Sequence, residues 1–68
     1  GYQEMIYSME KEGLLSTKEN YKIEYDNSVL KINGNKQSQE TANKYKKYFK
    51  KDKTTITKEG DDFNIDID

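Results

Sequence analysis

The sequence predicts a small α+β domain of order αββαββ, in which a four-stranded antiparallel sheet carries both helices on one face. Apolar residues recur with a helical period in two segments. They recur with a period of two in pairs of short segments that turn-forming residues separate. With 68 residues the chain has room for a single domain, residues 1–68. Because it begins with Gly1 and not with Met, we expect it to be a fragment of a longer parent chain.

The first helix is predicted over residues 3–12, because four apolar side chains share one helical face: Tyr2, Met5, Ile6 and Met9. Gly13 stands where a left-handed residue would end this helix. The second helix is predicted over residues 38–51, with Ser38 as its N-cap. Its buried stripe is expected to consist of Ala42, Tyr45, Tyr48 and Phe49.

Two hairpins are predicted from alternation of apolar and polar residues. The first spans residues 21–33, turns at residues 26–28, and ends at Asn33-Gly34. The second consists of residues 54–58 and 63–67, joined by a turn at residues 59–61. Each hairpin is expected to have one apolar and one solvated face.

The composition argues against most catalytic chemistries. All 12 basic residues are lysine, against 13 acidic residues, and Cys, His, Pro, Trp and Arg are absent. A disulfide, a thiolate nucleophile, a Cys/His zinc site and a histidine base are therefore excluded. Asp61-Asp62 is the one adjacent pair of aspartates, and we do not expect a sheet this thin to enclose the pocket that acid–base catalysis by two carboxyl groups requires. We expect a non-enzymatic domain with no cofactor and no bound metal, and no direct membrane insertion, since no apolar run could span a bilayer.

A lysine cluster in residues 44–53 is the strongest charge feature. Six lysines oppose Asp52 alone within it: Lys44, Lys46, Lys47, Lys50, Lys51 and Lys53. Lysines interleaved with aromatic residues can bind phosphates and stack on bases, so a nucleic-acid-binding module that uses the second helix is the alternative function. We favour the simpler interpretation, a solvated helix face, because the aromatic residues have core spacing and base recognition favours arginine.

The acidic C-terminal segment has a second possible interpretation. Four side chains with oxygen ligands alternate there, as at the start of a calcium loop: Asp62, Asn64, Asp66 and Asp68. Ile67 stands where that loop requires glycine. The alternation is therefore better explained by a strand with a charged outer face.

Aromatic side chains and the last strand are the candidate contacts for a protein partner. Six residues are proposed to make these contacts: Tyr2, Tyr7, Tyr48, Phe63, Ile65 and Ile67. Tyrosines are effective interface anchors, and an edge strand with no proline can add to a neighbouring sheet. The expected partner is the parent chain or another protein, with a homodimer through an edge strand as a further possibility.

Residues 21–49 resemble short C-terminal modules of bacterial envelope-associated proteins, some of them attached to membrane-bound regulatory metallopeptidases. The resemblance comprises a hairpin that ends in I-N-G-x-K-Q, at residues 32–37, and a following helix with a K-Y-x-K-Y/F pattern. Ser38 stands where those modules often have proline. No catalytic residue carries over, because the zinc motif of those peptidases contains histidine. The resemblance implies an accessory, extracytoplasmic domain of the cell envelope.

Overall fold

The computed structural model describes residues 1–51 and 53–68 and has an α+β fold with two α-helices and a five-stranded antiparallel sheet. In chain order the elements are α1 (Tyr2–Lys11), β1 (Tyr21–Asp26), β2 (Val29–Ile32), β3 (Asn35–Lys36), α2 (Gln39–Tyr45), a 3₁₀ turn (Lys46–Tyr48), β4 (Lys53–Glu59) and β5 (Asp62–Ile67). The predicted α+β class is confirmed, whereas the predicted order αββαββ with four strands is wrong, because β3 adds a fifth strand between β2 and α2. Asp52, counted above in the lysine cluster, lies outside the described residues.

Helix α1 ends as its glycine predicts. Gly13 has a φ of 80°, a value that glycine adopts without steric cost. The Leu14 N–H donates to the Met9 carbonyl at 2.9 Å, and the Gly13 N–H donates to the Glu10 carbonyl at 3.0 Å. These two bonds form a Schellman motif, which satisfies carbonyls that the helix itself leaves without donors.

The additional strand, β3, follows from a turn at Asn33-Gly34. These residues have φ values of 52° and 83°, as a type I′ hairpin turn requires. The chain therefore does not end its hairpin there but turns back, and Asn35 pairs with Ile32. A strand of two residues is too short to produce a period of two, so alternation alone could not predict it.

Helix α2 begins as predicted and ends earlier. The Ser38 Oγ accepts from the Thr41 N–H at 3.1 Å, which caps the N-terminus. The predicted end near residue 51 is wrong, because the 3₁₀ turn ends at Tyr48 and Phe49 is extended, with φ −98° and ψ 112°. In that conformation the Phe49 ring stacks on the Tyr25 ring, with centroids 4.4 Å apart.

The sheet has the order β3-β2-β1-β4-β5, so β1 is central and β5 forms one edge. Ile23 of β1 lies opposite both Ile32 and Ile56, and all three are buried. The core contains side chains from this one face of the sheet and from both helices: Met5, Ile6, Met9, Leu15, Tyr21, Ile23, Tyr25, Leu30, Ile32, Ala42, Tyr45, Phe49 and Ile56. Both helices therefore cover the same face, which we call the inner face.

Candidate protein-interaction surface

Strand β5 carries three large apolar side chains that are exposed to solvent. Phe63, Ile65 and Ile67 are 44%, 40% and 49% exposed, and we call these three residues the β5 strip. They lie opposite Lys58, Ile56 and Thr54 of β4, respectively. Since directly opposed residues of paired strands share a face, the β5 strip lies on the inner face, beside the buried core.

Two depressions adjoin the β5 strip at its two ends. One has a volume of about 360 Å³ and lies between α1 and β5, where Ile6, Tyr7 and Phe63 line it. The other, of about 350 Å³, is lined by Tyr2, Tyr48, Lys50, Lys51 and Ile67. The six residues predicted to contact a partner are thus arranged along one side of the domain, with Ile65 between the depressions.

The three tyrosines of that set differ in how freely they can contact a partner. Tyr7 is 60% exposed, whereas Tyr2 and Tyr48 are half-buried against the core, so they offer a partner less surface than Tyr7 does. The Tyr48 hydroxyl donates to Glu4 Oε2 at 3.3 Å. Burial raises the pKa of Tyr48, and the charge of Glu4 raises it further. Tyr7 is therefore the most exposed of the three tyrosines, with Lys11 Nζ lying 5.3 Å from the centroid of its ring.

The backbone of β5 has one edge with no strand beside it among the described residues. The Asp68 N–H donates to the Lys53 carbonyl at 3.1 Å. Because hydrogen-bonded and non-hydrogen-bonded pairs alternate in an antiparallel ladder, the even-numbered residues of β5 bond to β4. The N–H and C=O groups of the β5 strip therefore point away from the sheet.

The outer face of β5 is acidic. Asp68 Oδ2 lies 4.0 Å from the Lys53 Nζ, a distance that gives a weak surface ion pair. Asp62 and Asp66 have no ion pair within residues 1–51 and 53–68, and Asp62 lies opposite Glu59. Across the same range, no three acidic side chains come together as metal ligands. The aspartates are spread along one strand.

The groups that line the α1–β5 depression include three titratable side chains that the sequence did not single out. Glu10 Oε2 accepts from the Thr17 N–H at 2.9 Å and from the Thr17 Oγ1 at 2.8 Å. These bonds lower the pKa of Glu10, whereas burial, and then the charge of Glu10, raise the pKa of Tyr21. Lys58 Nζ donates to the Glu19 carbonyl at 3.3 Å. The depression therefore combines the carboxyl group of Glu10, the hydroxyl group of Tyr21 and the amino group of Lys58 around apolar side chains.

The proximity of these groups could not be predicted from the sequence, because contacts between α1, the loop after it and β4 bring them together. Thr17, in the loop after α1, donates to Glu10 of α1, and Lys58 of β4 donates to the carbonyl of Glu19 in the same loop. Local periodicity describes single elements. It does not describe which elements adjoin.

The lysine cluster presents fewer aromatic faces than the sequence suggested. Tyr45 and Phe49 are buried, so their rings are not available to stack on bases. Lys44 forms an ion pair with Glu12, and its Nζ lies 5.7 Å from the centroid of the Tyr45 ring. Lys47 covers Tyr48 in a similar way, at 5.4 Å. Among its described residues, the cluster therefore combines positive charge with two buried rings and one half-buried ring, and none of the three is a fully exposed platform for stacking on bases.

No protein-family model, no curated protein and no solved structure shows a significant match to this chain. Among the helices of the described residues, none has the length and apolar character needed to cross a membrane. The function must therefore be inferred from the chain's own residues and their arrangement.

Proposed function

We propose that this chain is a non-catalytic protein-interaction domain, an accessory module of a bacterial envelope-associated protein, that binds its parent chain or another protein through β5. The observation that carries the proposal is the β5 strip, which continues the inner face beyond the helices. Exposed apolar groups that lie together, beside depressions, are typical of interaction sites. The envelope location is supported by the resemblance of residues 21–49 alone.

The alternative, nucleic-acid binding through the lysine cluster, has less support. Its aromatic residues are largely packed into the core, and a cationic helix face is usual on a solvated surface. By contrast, the apolar side chains of β5 keep between 40% and 49% of their surface exposed to water. Water around them is released when a partner covers them, which favours association.

A peptide selection tests the proposal. We would display random 12-residue peptides, select those that bind the folded 68-residue chain, and map each by amide chemical shifts. We expect the selected peptides to shift resonances of β5 and of Tyr7. Ile65→Lys should weaken their binding at least tenfold, because it places an ammonium group in the middle of an apolar contact.

The matched control is Val29→Lys, which makes a similar change on the opposite face of the sheet, near the other edge. It should leave peptide binding within about twofold. Selected peptides that shift only residues remote from β5, equal effects of the two variants, or no enrichment at all would each contradict the proposal. Amide spectra of both variants show whether they remain folded.

A further inference from the structure

We infer that the partner segment is an extended strand in which apolar residues alternate with lysine or arginine, and that it pairs with β5 as a sixth strand of the sheet. This inference rests on the proposed function and specifies the conformation and the charge of the partner. Three features of β5 support it: the direction of its backbone groups, the face of its apolar side chains, and two aspartates, Asp62 and Asp66, that form no ion pair among the described residues.

The backbone groups favour a strand over a helix. The three residues of the β5 strip each direct an N–H and a C=O away from β4, along a strand of six residues. Edge strands in proteins are commonly protected by a bulge, a proline or an inward-pointing charge. The chain has no proline, and the inward-pointing side chains of β5 are Phe63, Ile65 and Ile67. An added strand satisfies these backbone groups, whereas a helix lying over the strip leaves them without partners.

The side chains determine the pattern of the added strand. Residues opposite the β5 strip would lie on the inner face and contact apolar side chains, so they are expected to be apolar. Residues opposite Asp62 and Asp66 would lie on the outer face, where opposite charges stabilise a cross-strand pair. Lys53 already occupies such a position beside Asp68 on the β4 side. Alternating apolar and basic residues therefore match both faces at once.

A second copy of the chain fits this edge less well. Antiparallel pairing of two β5 strands centred on Ile65 would place Asp62 opposite Asp68 and Asn64 opposite Asp66. A register shifted by two residues would place Asp62 opposite Asp66. Like charges directly opposed destabilise a strand pair, so self-pairing is disfavoured relative to pairing with a basic strand. The strand at the opposite edge of the sheet, β3, has only two residues and therefore offers few backbone groups for pairing with a second copy.

Two synthetic peptides with blocked ends test the charge pattern. One alternates valine and lysine over seven residues, and the other replaces each lysine by glutamate. We expect the lysine peptide to bind the chain at least tenfold more tightly at about 50 mM salt, with a smaller difference at about 200 mM, because salt screens exposed charges. The double variant Asp62→Asn/Asp66→Asn should bind the lysine peptide about fivefold more weakly than the parent sequence does. Asp26→Asn, which changes an aspartate on β1 instead, should have little effect.

Amide hydrogen exchange tests the strand geometry. The lysine peptide should slow exchange at Phe63, Ile65 and Ile67 at least tenfold, because these N–H groups point toward the added strand. Exchange at Asn64 and Asp66 should change less, since those N–H groups already point toward β4. A version of the peptide methylated on the backbone nitrogens that face β5 should lose binding, while methylation of the alternate nitrogens should preserve it.

The outcomes separate this inference from the proposed function. Equal binding of the two peptides would contradict the inference that the partner strand is basic. Unchanged amide exchange at the β5 strip would contradict the inference that the partner pairs with β5 as a strand. Either result leaves the proposed function standing if selected peptides still bind at β5. If neither the alternating peptides nor any selected peptide binds at β5, both the inference and the proposed function fail. Concentration-dependent self-association that protects the same three amides would instead identify a second copy as the occupant.

Discussion

Strands β1 and β5 have the same alternation of apolar and polar residues but different surroundings. Tyr21, Ile23 and Tyr25 of β1 are 6%, 0% and 5% exposed, whereas all three residues of the β5 strip are at least 40% exposed. Both sets lie on the inner face. Strand β1 is central and lies beneath side chains of the helices, while β5 is an edge strand beyond them. Alternation therefore predicts which face a side chain occupies, and the position of the strand in the sheet decides whether that face is covered.

The largest expected effect comes from shortening one isoleucine in each strand. Ile23→Ala should lower the free energy of unfolding by about 3 kcal/mol, because it leaves a cavity between strands and helices. Ile65→Ala should lower it by less than about 1 kcal/mol, since that side chain is partly solvated before the change. Urea unfolding followed by circular dichroism measures both values. Equal losses would mean that β5 is covered in solution, by a second copy or by a rearrangement of α1.

The contrast between β1 and β5 also separates the features that the sequence predicts from those that only the fold determines. The inward side of Ile65 and its neighbours, and the acidic side of Asp66, follow from a period of two. That β5 ends up at an edge does not, because it depends on β4 pairing with β1, more than 25 residues earlier in the chain. No local pattern encodes such a pairing. The depressions beside β5, which require that edge position, were therefore not predictable.

The end of α2 differs from its prediction for a related reason. The helical spacing of apolar residues continues to Phe49 and therefore predicts a helix through that residue. The Phe49 ring instead stacks on Tyr25, a contact between distant parts of the chain, and this requires extended backbone at Phe49. Tertiary packing overrides local periodicity at this point.

The hydroxyl groups of Tyr45, which is buried, and Tyr7, which is exposed, lie in different surroundings. The Tyr45 hydroxyl donates to Glu12 Oε1 at 2.8 Å and lies 3.3 Å from Ser8 Oγ, so it joins α2 to the end of α1. Tyr45→Phe should cost about 1 kcal/mol, because the ring stays packed while these bonds are lost. Tyr7→Phe, on the exposed side, should change stability by no more than about 0.3 kcal/mol. Thermal unfolding distinguishes them, and a larger loss for Tyr7→Phe would show that its hydroxyl has a structural partner.

Thr54 and Ile67 lie directly opposite each other on the inner face, and the buried part of that face meets its exposed part between them. The Thr54 side chain is fully buried, yet its Oγ1 has no hydrogen-bond partner within the described part of the chain. Thr54→Val should therefore stabilise the fold by up to about 1 kcal/mol, since an unsatisfied hydroxyl is replaced by a methyl group of similar shape. Thr55→Val, on the outer face, is the matched control and should change stability by less than about 0.5 kcal/mol. Destabilisation by Thr54→Val would instead indicate a partner for Oγ1.

The smallest expected effect is a pH dependence on the uncovered side, at Glu10. Hydrogen bonds from the Thr17 backbone and then from its hydroxyl lower the pKa of Glu10 below its usual value of 4.5, with a smaller contribution from Lys18. The folded chain then binds the proton more weakly than the unfolded chain does. Glu10 therefore contributes stability above about pH 4.5, and this contribution is lost as the pH falls through the lowered pKa.

Glu10→Gln should consequently lose stability less steeply than the parent sequence as the pH falls below about 4.5. Thr17→Val removes the hydroxyl and keeps the backbone donor, so its pH profile should lie between the other two. Urea midpoints measured between about pH 6 and pH 3 give the three profiles. Identical slopes would mean that the bonds between Glu10 and Thr17 open in solution. In that case the wall of the α1–β5 depression is mobile, and a partner would have to order it on binding.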